Sequence, residues 1–452
     1  MKSLALNLIE ENRVPFDNEL VEAAKLVLLD TLGAIITGMQ QEETFALAKR
    51  SSNRGDYAIV GTNFKTDLYS AGLVHGTAAV ATEMDEGNQY SKGHPAAHVV
   101  PVLLTMLQNR EAVSGRHFID LLIKSYEACS RFGRATTLRP EAHAHGTWGV
   151  MGAAATALLI EDATVEEFCE GVNISATFAL PTLWTAALEG KSLRNIYAGH
   201  AIEMGMRTTD FLQTNHLAPT NNAEYVFASV LGTDFNLADL ERSKTDQWDI
   251  ASNYFKTYAF CRYAHSPIDA FKEIVEKNEL RAEEIKQVTV YTYARAATLN
   301  RVDSDNVLSS KFSIPFALAA YIHTKKSDQS LFIEHRYKDE EIQRFAKKVT
   351  VQVSTELEKD YPKIMPSLVE VEDINGNVYK EQIDIAVGGP GKRLTEEEIT
   401  QKFTHLTSNV LDKSTQNELV NFIMNIEEKD DIRPLFEMCT AVKKEHGEWS
   451  TI

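Results

Sequence analysis

Apolar residues recur at threes and fours through most of the first half of the chain. In DNELVEAAKLVLLDTLGAIITG, residues 17–38, the positions Leu20, Ala24, Val27, Leu28 and Ile35 fall on one stripe. Asp17 stands where it can cap the helix that this spacing predicts. VVPVLLTMLQNRE, GRHFIDLLIKSYEACSRFG and WGVMGAAATALLI carry related patterns. The last is apolar on almost every side and rich in Ala and Gly, which predicts a buried helix packed closely by its neighbours.

After about residue 258 the period changes. SPIDAFKEIVEKNEL still reads as a helix, but KQVTVYTYA and KKVTVQVS alternate β-branched with polar residues, as strands do. SLVEVEDINGNVYKEQI reads as a hairpin around Asn375 and Gly376. The chain turns sharply at VGGPGKRL, residues 387–394. Helices then resume behind two expected capping boxes, Thr395 with Glu398 and Thr415 with Glu418. The expected fold is therefore mainly α. Both chain ends (1–257 and 395–452) would build a large all-helical domain, with a smaller α+β lid domain inserted at 258–394. An active site commonly lies at such a junction.

Composition narrows the function classes. The chain has 452 residues, too many for one small core. Its 44% hydrophobic and 24% charged fractions are those of an ordinary soluble protein. No apolar run is long enough to span a bilayer, and the opening MKSLALNLIEENRV turns polar too soon for a secretory signal. Cys129, Cys169, Cys261 and Cys439 are scattered, which suits a reducing compartment and gives no cysteine zinc site. The expected location is cytoplasmic. Forty-six basic against sixty-four acidic residues give a charge of −18, a surface that repels nucleic acid and anionic membrane. A small anionic substrate stays compatible, because a few convergent cations can reverse the potential inside a cleft.

Four stretches hold candidate chemistry. EMDEGNQYSKGHPAAHVVP sets Glu83, Asp85 and Glu86 about ten residues before His94 and His98. The histidines have the i, i+4 spacing of metal ligands on a helix, but Pro95 puts His94 at or before the helix start. Singly, these acids read as surface charges and these rings as solvated or core histidines. RPEAHAHGTWGVMGAAATA presents His143 and His145 on a turn ahead of the Ala-rich helix. EGKSLRNIYAGHAIEMG carries Lys191 and Arg194, with Gly199 inviting close backbone approach; the commoner meaning is a solvated basic face. FKTYAFCRYAHSP gathers Lys256, Cys261, Arg262 and His265 at the expected domain junction, an unusual density of cations in so acidic a chain.

Together these segments resemble the MmgE/PrpD family, which includes 2-methylcitrate dehydratase, cis-aconitate decarboxylase and iminodisuccinate epimerase. The resemblance runs from LVLLDTLGAIITG through EMDEGNQYSKGHPAAHVVP, HAHGTWGVMGAAA, LRNIYAGHA, KTYAFCRYAH and KFSIPFALAA to GGPGKRLTEEEI. It implies a helical domain made from both chain ends, an α+β lid, a homodimer, and catalysis without metal or organic cofactor. His94 matches the family's histidine in its HP motif, His143 the histidine before the Ala-rich helix, and Lys256 the lysine at the domain junction. Asp85 or Glu83 matches the family's aspartate. The chain departs from the family in having EMDE and Gly87 where DFDD and threonine are frequent. It also has Arg194 where the decarboxylases carry lysine, and Cys261 where some members have histidine.

What these members share is a proton leaving or joining carbon beside a carboxylate. The extra negative charge this creates is stabilised by cations in a dry cleft, by about 3 kcal/mol per well-placed donor. His94 and His143 are the expected acid–base pair, with Asp85 orienting a ring and Lys256 supporting the charge. Arg194, Arg262, Glu83, Cys261, His265 and His98 are expected around the substrate. The expected reaction is dehydration of a 2-methylcitrate-like hydroxy acid, or decarboxylation of a small di- or tricarboxylate. A dicarboxylate epimerase is the alternative. Less favoured are a metal-dependent hydrolase built on His94, His98, His143 and Glu83, and a polycarboxylate-binding protein without catalysis.

Overall fold

The structure is a computed structural model that describes residues 1–11, 16–243, 246–440 and 442. It is mainly α-helical and forms two compact units. The first comprises residues 1–183, 193–253 and 395–452; the second comprises 184–192 and 254–394. The end of the expected C-terminal segment, 443–452, lies outside the described residues.

In the first unit, helix α1 (Asn18–Gly38) begins where the Asp17 carboxylate accepts the Leu20 amide at 2.8 Å. Next come α2 (Leu68–Ala81), α3 (Ala96–Leu107), α4 (Gly115–Ala135), α5 (Gly149–Ile160) and α6 (Leu193–Gln213). Every residue of α5 is buried, as its near-uniform apolarity requires. α6 packs on α2 and α5. At its crossing with α2, a β-carbon on Gly199 would come within 2.2 Å of the Leu73 carbonyl oxygen, so only glycine lets the backbones meet. α3 runs straight through Pro101. All its side chains are buried, and that packing outweighs the one helical hydrogen bond proline cannot make.

The second unit holds helices α7 (His265–Lys277) and α8 (Ile314–Thr324) and a four-stranded sheet. Its strands are β1 (Ile285–Thr292), β2 (Val349–Val353), β3 (Ser367–Asp373) and β4 (Val378–Ile383), in the order β2-β1-β3-β4. β1 is parallel to β2 and antiparallel to β3; β3 and β4 form the hairpin. Along β3, residues Ser367, Val369, Val371 and Asp373 are buried on one face, and α7 covers β3 and β4. The Asp373 carboxylate takes the amides of Asn375 and Asn377 at 2.8 and 2.9 Å, while Gly376 supplies the positive φ.

α9 (Glu396–Thr407) and α10 (Lys413–Met424) return to the first unit. α9 lies against α1, with Phe403 over Gly33 and the Lys402 ammonium 2.6 Å from Asp30. Thr395 and Glu398 form the expected capping box at its start. The second expected box is a correction. α10 begins three residues earlier than expected, capped by Asp412, whose carboxylate accepts the Thr415 amide at 2.8 Å. Thr415 is thus already inside the helix, because the aspartate three residues upstream caps it first.

Candidate active site

The loop 82–95 joins α2 to α3. It is closed by paired backbone bonds between Asn88 and Gly93 at 2.9 and 3.3 Å, and the Asn88 side chain accepts the amides of Tyr90 and Ser91. Its left-handed positions are Glu83 and Lys92, at φ of 57° and 56°, rather than the glycines at 87 and 93. Non-glycine residues held there carry strain of roughly 1 kcal/mol each, which such loops sustain only when their surroundings fix them. Glu86 supplies part of that fixing. One carboxylate oxygen accepts the Ala96 amide at the α3 start, 2.8 Å away, and the other accepts the Tyr126 hydroxyl at 2.9 Å. Burial pushes its carboxyl up to about 8.

The loop delivers Asp85 and His94 to one another. His94 Nδ1 lies 2.9 Å from Asp85 Oδ2 and 2.6 Å from the Glu86 carbonyl oxygen. Both partners are acceptors, so the neutral ring keeps its proton on Nδ1 and its lone pair on Nε2. Asp85 is fully buried, whereas the His94 side chain is 14% exposed, the geometry of a carboxylate behind an accessible imidazole.

The turn before α5 delivers two more rings. His145 stacks on His94 with centroids 5.1 Å apart, and on His143 at 4.9 Å. His98, on α3, lies 5.6 Å from His145 and 5.8 Å from Trp148. Its Nδ1 bonds to the His94 carbonyl at 3.0 Å, and burial pushes its pKa down to about 4, so it is a neutral ring of the interior. His143 Nδ1 accepts the His145 amide at 3.0 Å, and Arg194 Nε approaches His143 Nε2 at 3.2 Å. A neutral imidazole has one lone pair, so these two donors compete for one ring. Arg194 also donates to the Val80 carbonyl at 2.9 Å and ion-pairs with Glu83, both side chains being almost completely buried.

Asp85, Glu83, His94, His98, His143 and Arg194 are thus gathered in the first unit. His145 completes the group; the motif HAHG displays it, but the sequence assigns it no role. Neither of its ring nitrogens has a hydrogen-bond partner among the described residues, although the ring is fully buried. A buried polar atom left in that state costs about 1–3 kcal/mol. Asp85, His94 and His145 each offer one ligand atom within 4.8 Å of the others, the one such group that could hold a metal among the described residues.

The remaining candidates lie in the second unit. Lys256 is fully buried, and Cys261 is a buried cysteine outside any disulfide. The Arg262 guanidinium donates to the carbonyls of Val387 and Ala386 at 3.1 and 3.3 Å and lies over the Tyr254 ring. His265 faces Arg262 through Nδ1 at 3.3 Å and the Phe260 carbonyl through Nε2 at 3.2 Å. Arg262 therefore braces the GGPG turn, where Asp269 also accepts the Val387 amide at 2.8 Å.

A mainly helical chain with this buried imidazole–carboxylate group can be placed. Models of the MmgE/PrpD N-terminal and C-terminal domains match residues 10–237 and 258–428. The chain belongs to the MmgE/PrpD family. It is similar to cis-aconitate decarboxylase of Mus musculus, 21% identical over 435 residues, covering 91% of this chain and 87% of that protein. It is also similar to cis-aconitate decarboxylase of Homo sapiens, 20% identical over 444 residues, covering 92% and 89%. No helix among the described residues is long and apolar enough to cross a membrane.

Proposed function

We propose that the protein is a lyase that moves a proton at a carbon beside a carboxylate of a small di- or tricarboxylic acid. The observation that carries this reading is the Asp85–His94 pair: a buried carboxylate 2.9 Å from an imidazole whose Nδ1 bonds the Glu86 carbonyl, which makes Nε2 the basic nitrogen. Asp85 orients the ring and stabilises the imidazolium that forms when His94 takes a proton. His143, bordered by Arg194, is the second acid–base group. Stacking of both rings on His145 supports the pairing, since it sets them on two sides of one small group.

Lys256 is assigned to the developing negative charge, as a buried ammonium would act in a dry site. Cys261, His265, Glu83 and His98 are assigned to the surroundings of the substrate, with Arg194 and Arg262 holding ring and turn in place. We assign the proton transfers to side chains alone, the α+β unit to the role of a lid, and the active form to a cytoplasmic homodimer. Likeness to two cis-aconitate decarboxylases supports decarboxylation or dehydration over the epimerase alternative.

The test is a screen of citrate-, aconitate-, malate- and succinate-like acids for thermal stabilisation, followed by product detection on the hits. Release of water or carbon dioxide is expected. Exchange of the α-hydrogen with solvent, with neither product released, would instead establish the epimerase.

A further inference from the structure

His145 is the one imidazole of the group whose two nitrogens both lack a partner among the described residues, yet it lies at the centre of the rings. One of its nitrogens falls within 4.8 Å of ligand atoms of both Asp85 and His94. Two occupants could satisfy three such atoms: a metal ion or an oxygen.

The geometry decides between them. Tetrahedral coordination at about 2.1 Å would hold the three atoms about 3.4 Å apart. An oxygen hydrogen-bonded at about 2.8 Å spans partners about 4.6 Å apart. The ligand atoms of Asp85, His94 and His145 lie within 4.8 Å of one another, a span that the hydrogen-bond partners of one oxygen fill. The arrangement as it stands suits an oxygen.

The character of that oxygen follows from its neighbours. A carboxylate oxygen would be repelled by Asp85, whereas a hydroxyl can donate to Asp85 and accept from an imidazole N–H. Burial, with Arg194 and the neighbouring histidines, holds the His145 pKa well below the usual histidine range. The ring then offers one donor and one lone pair, the complement of a hydroxyl.

We propose that His145 is a further substrate-binding residue, which with the Asp85–His94 pair seats a hydroxyl group of the acid and makes the site prefer hydroxylated acids over their deoxy counterparts. This rests on the polycarboxylate reading above. In the reaction, a hydroxyl so held would be kept beside the His94 base.

The experiment is calorimetric titration of the full chain with malate against succinate, and citrate against tricarballylate. The expected result for at least one pair is about tenfold tighter binding of the hydroxylated acid. His145→Phe, which keeps a stackable ring without nitrogens, should bring that ratio close to one. His145→Asn, retaining a donor and an acceptor, should keep part of the preference and serves if the Phe variant does not fold. An unaltered ratio in these variants, or no preference in the unmodified protein, overturns the proposal while leaving the polycarboxylate reading intact. So does one equivalent of transition metal in the purified protein that is lost on replacing His145. Failure of all four acids to bind removes both readings.

Discussion

The two units carry polar groups of similar kind and use them differently. In the helical unit, charges are buried in pairs: Glu83 with Arg194, and Asp85 with His94. The rings between them are stacked, and His143 also meets the His145 amide and Arg194. In the α+β unit, Arg262 is equally buried but directs its donors at backbone carbonyls of the GGPG turn. The same residue type orients a catalytic candidate in one place and fastens a turn in the other. The difference teaches that a cation near a motif is read correctly only from what accepts its hydrogen bonds.

Removing charges breaks the comparison most sharply. Glu83→Ala leaves the Arg194 guanidinium buried without its carboxylate and should cost about 3–5 kcal/mol in urea unfolding. Replacing both partners with apolar residues should cost less than the single change. If the single change proves neutral, the pair is not what holds the loop.

Activity gives the next largest effects. His143→Ala and Lys256→Ala should each lower turnover on the true substrate by about two orders of magnitude or more, with unfolding midpoints little changed. Near-normal turnover in either would remove that residue from the mechanism. Asp85→Asn should lower kcat by about tenfold or more, since it leaves the His94 ring without its carboxylate.

Acid stability comes after these. Unfolded His98 binds a proton near pH 6.5, and the folded ring only near 4. Between those values the unfolded chain holds more protons, so stability falls as pH drops through the window, by roughly 3 kcal/mol in all. His98→Gln should flatten that slope, whatever it does to absolute stability. The smallest effect is expected at the α9 cap, where Thr395→Ala should cost about 1 kcal/mol.

Much of this was legible along the chain. The helices at 18–38, 115–135 and 149–160 follow from apolar spacing, and the strands at 285–292 and 349–353 from alternation. Gly199 announced its close crossing because glycine inside a helix is costly unless a backbone needs the space. The Thr415 box misled because Asp412, three residues earlier, caps the helix first by accepting the Thr415 amide. His145 was overlooked because a ring's importance here depends on which neighbours stack on it and which nitrogens stay unpaired. Neither is a property of local sequence.

The order of residues determined the element types, the family, and the identity of the acids and imidazoles that cluster. Only the folded chain decided that Glu83 pairs with Arg194, that Asp85 lies beside His94 Nδ1, and that Arg262 serves a turn. Periodicity is a local property of backbone geometry, fixed over a few residues. Partnership is a property of side chains brought together by the fold, across nine residues for Asp85 and His94 and more than a hundred for the other two, and burial makes each such choice consequential.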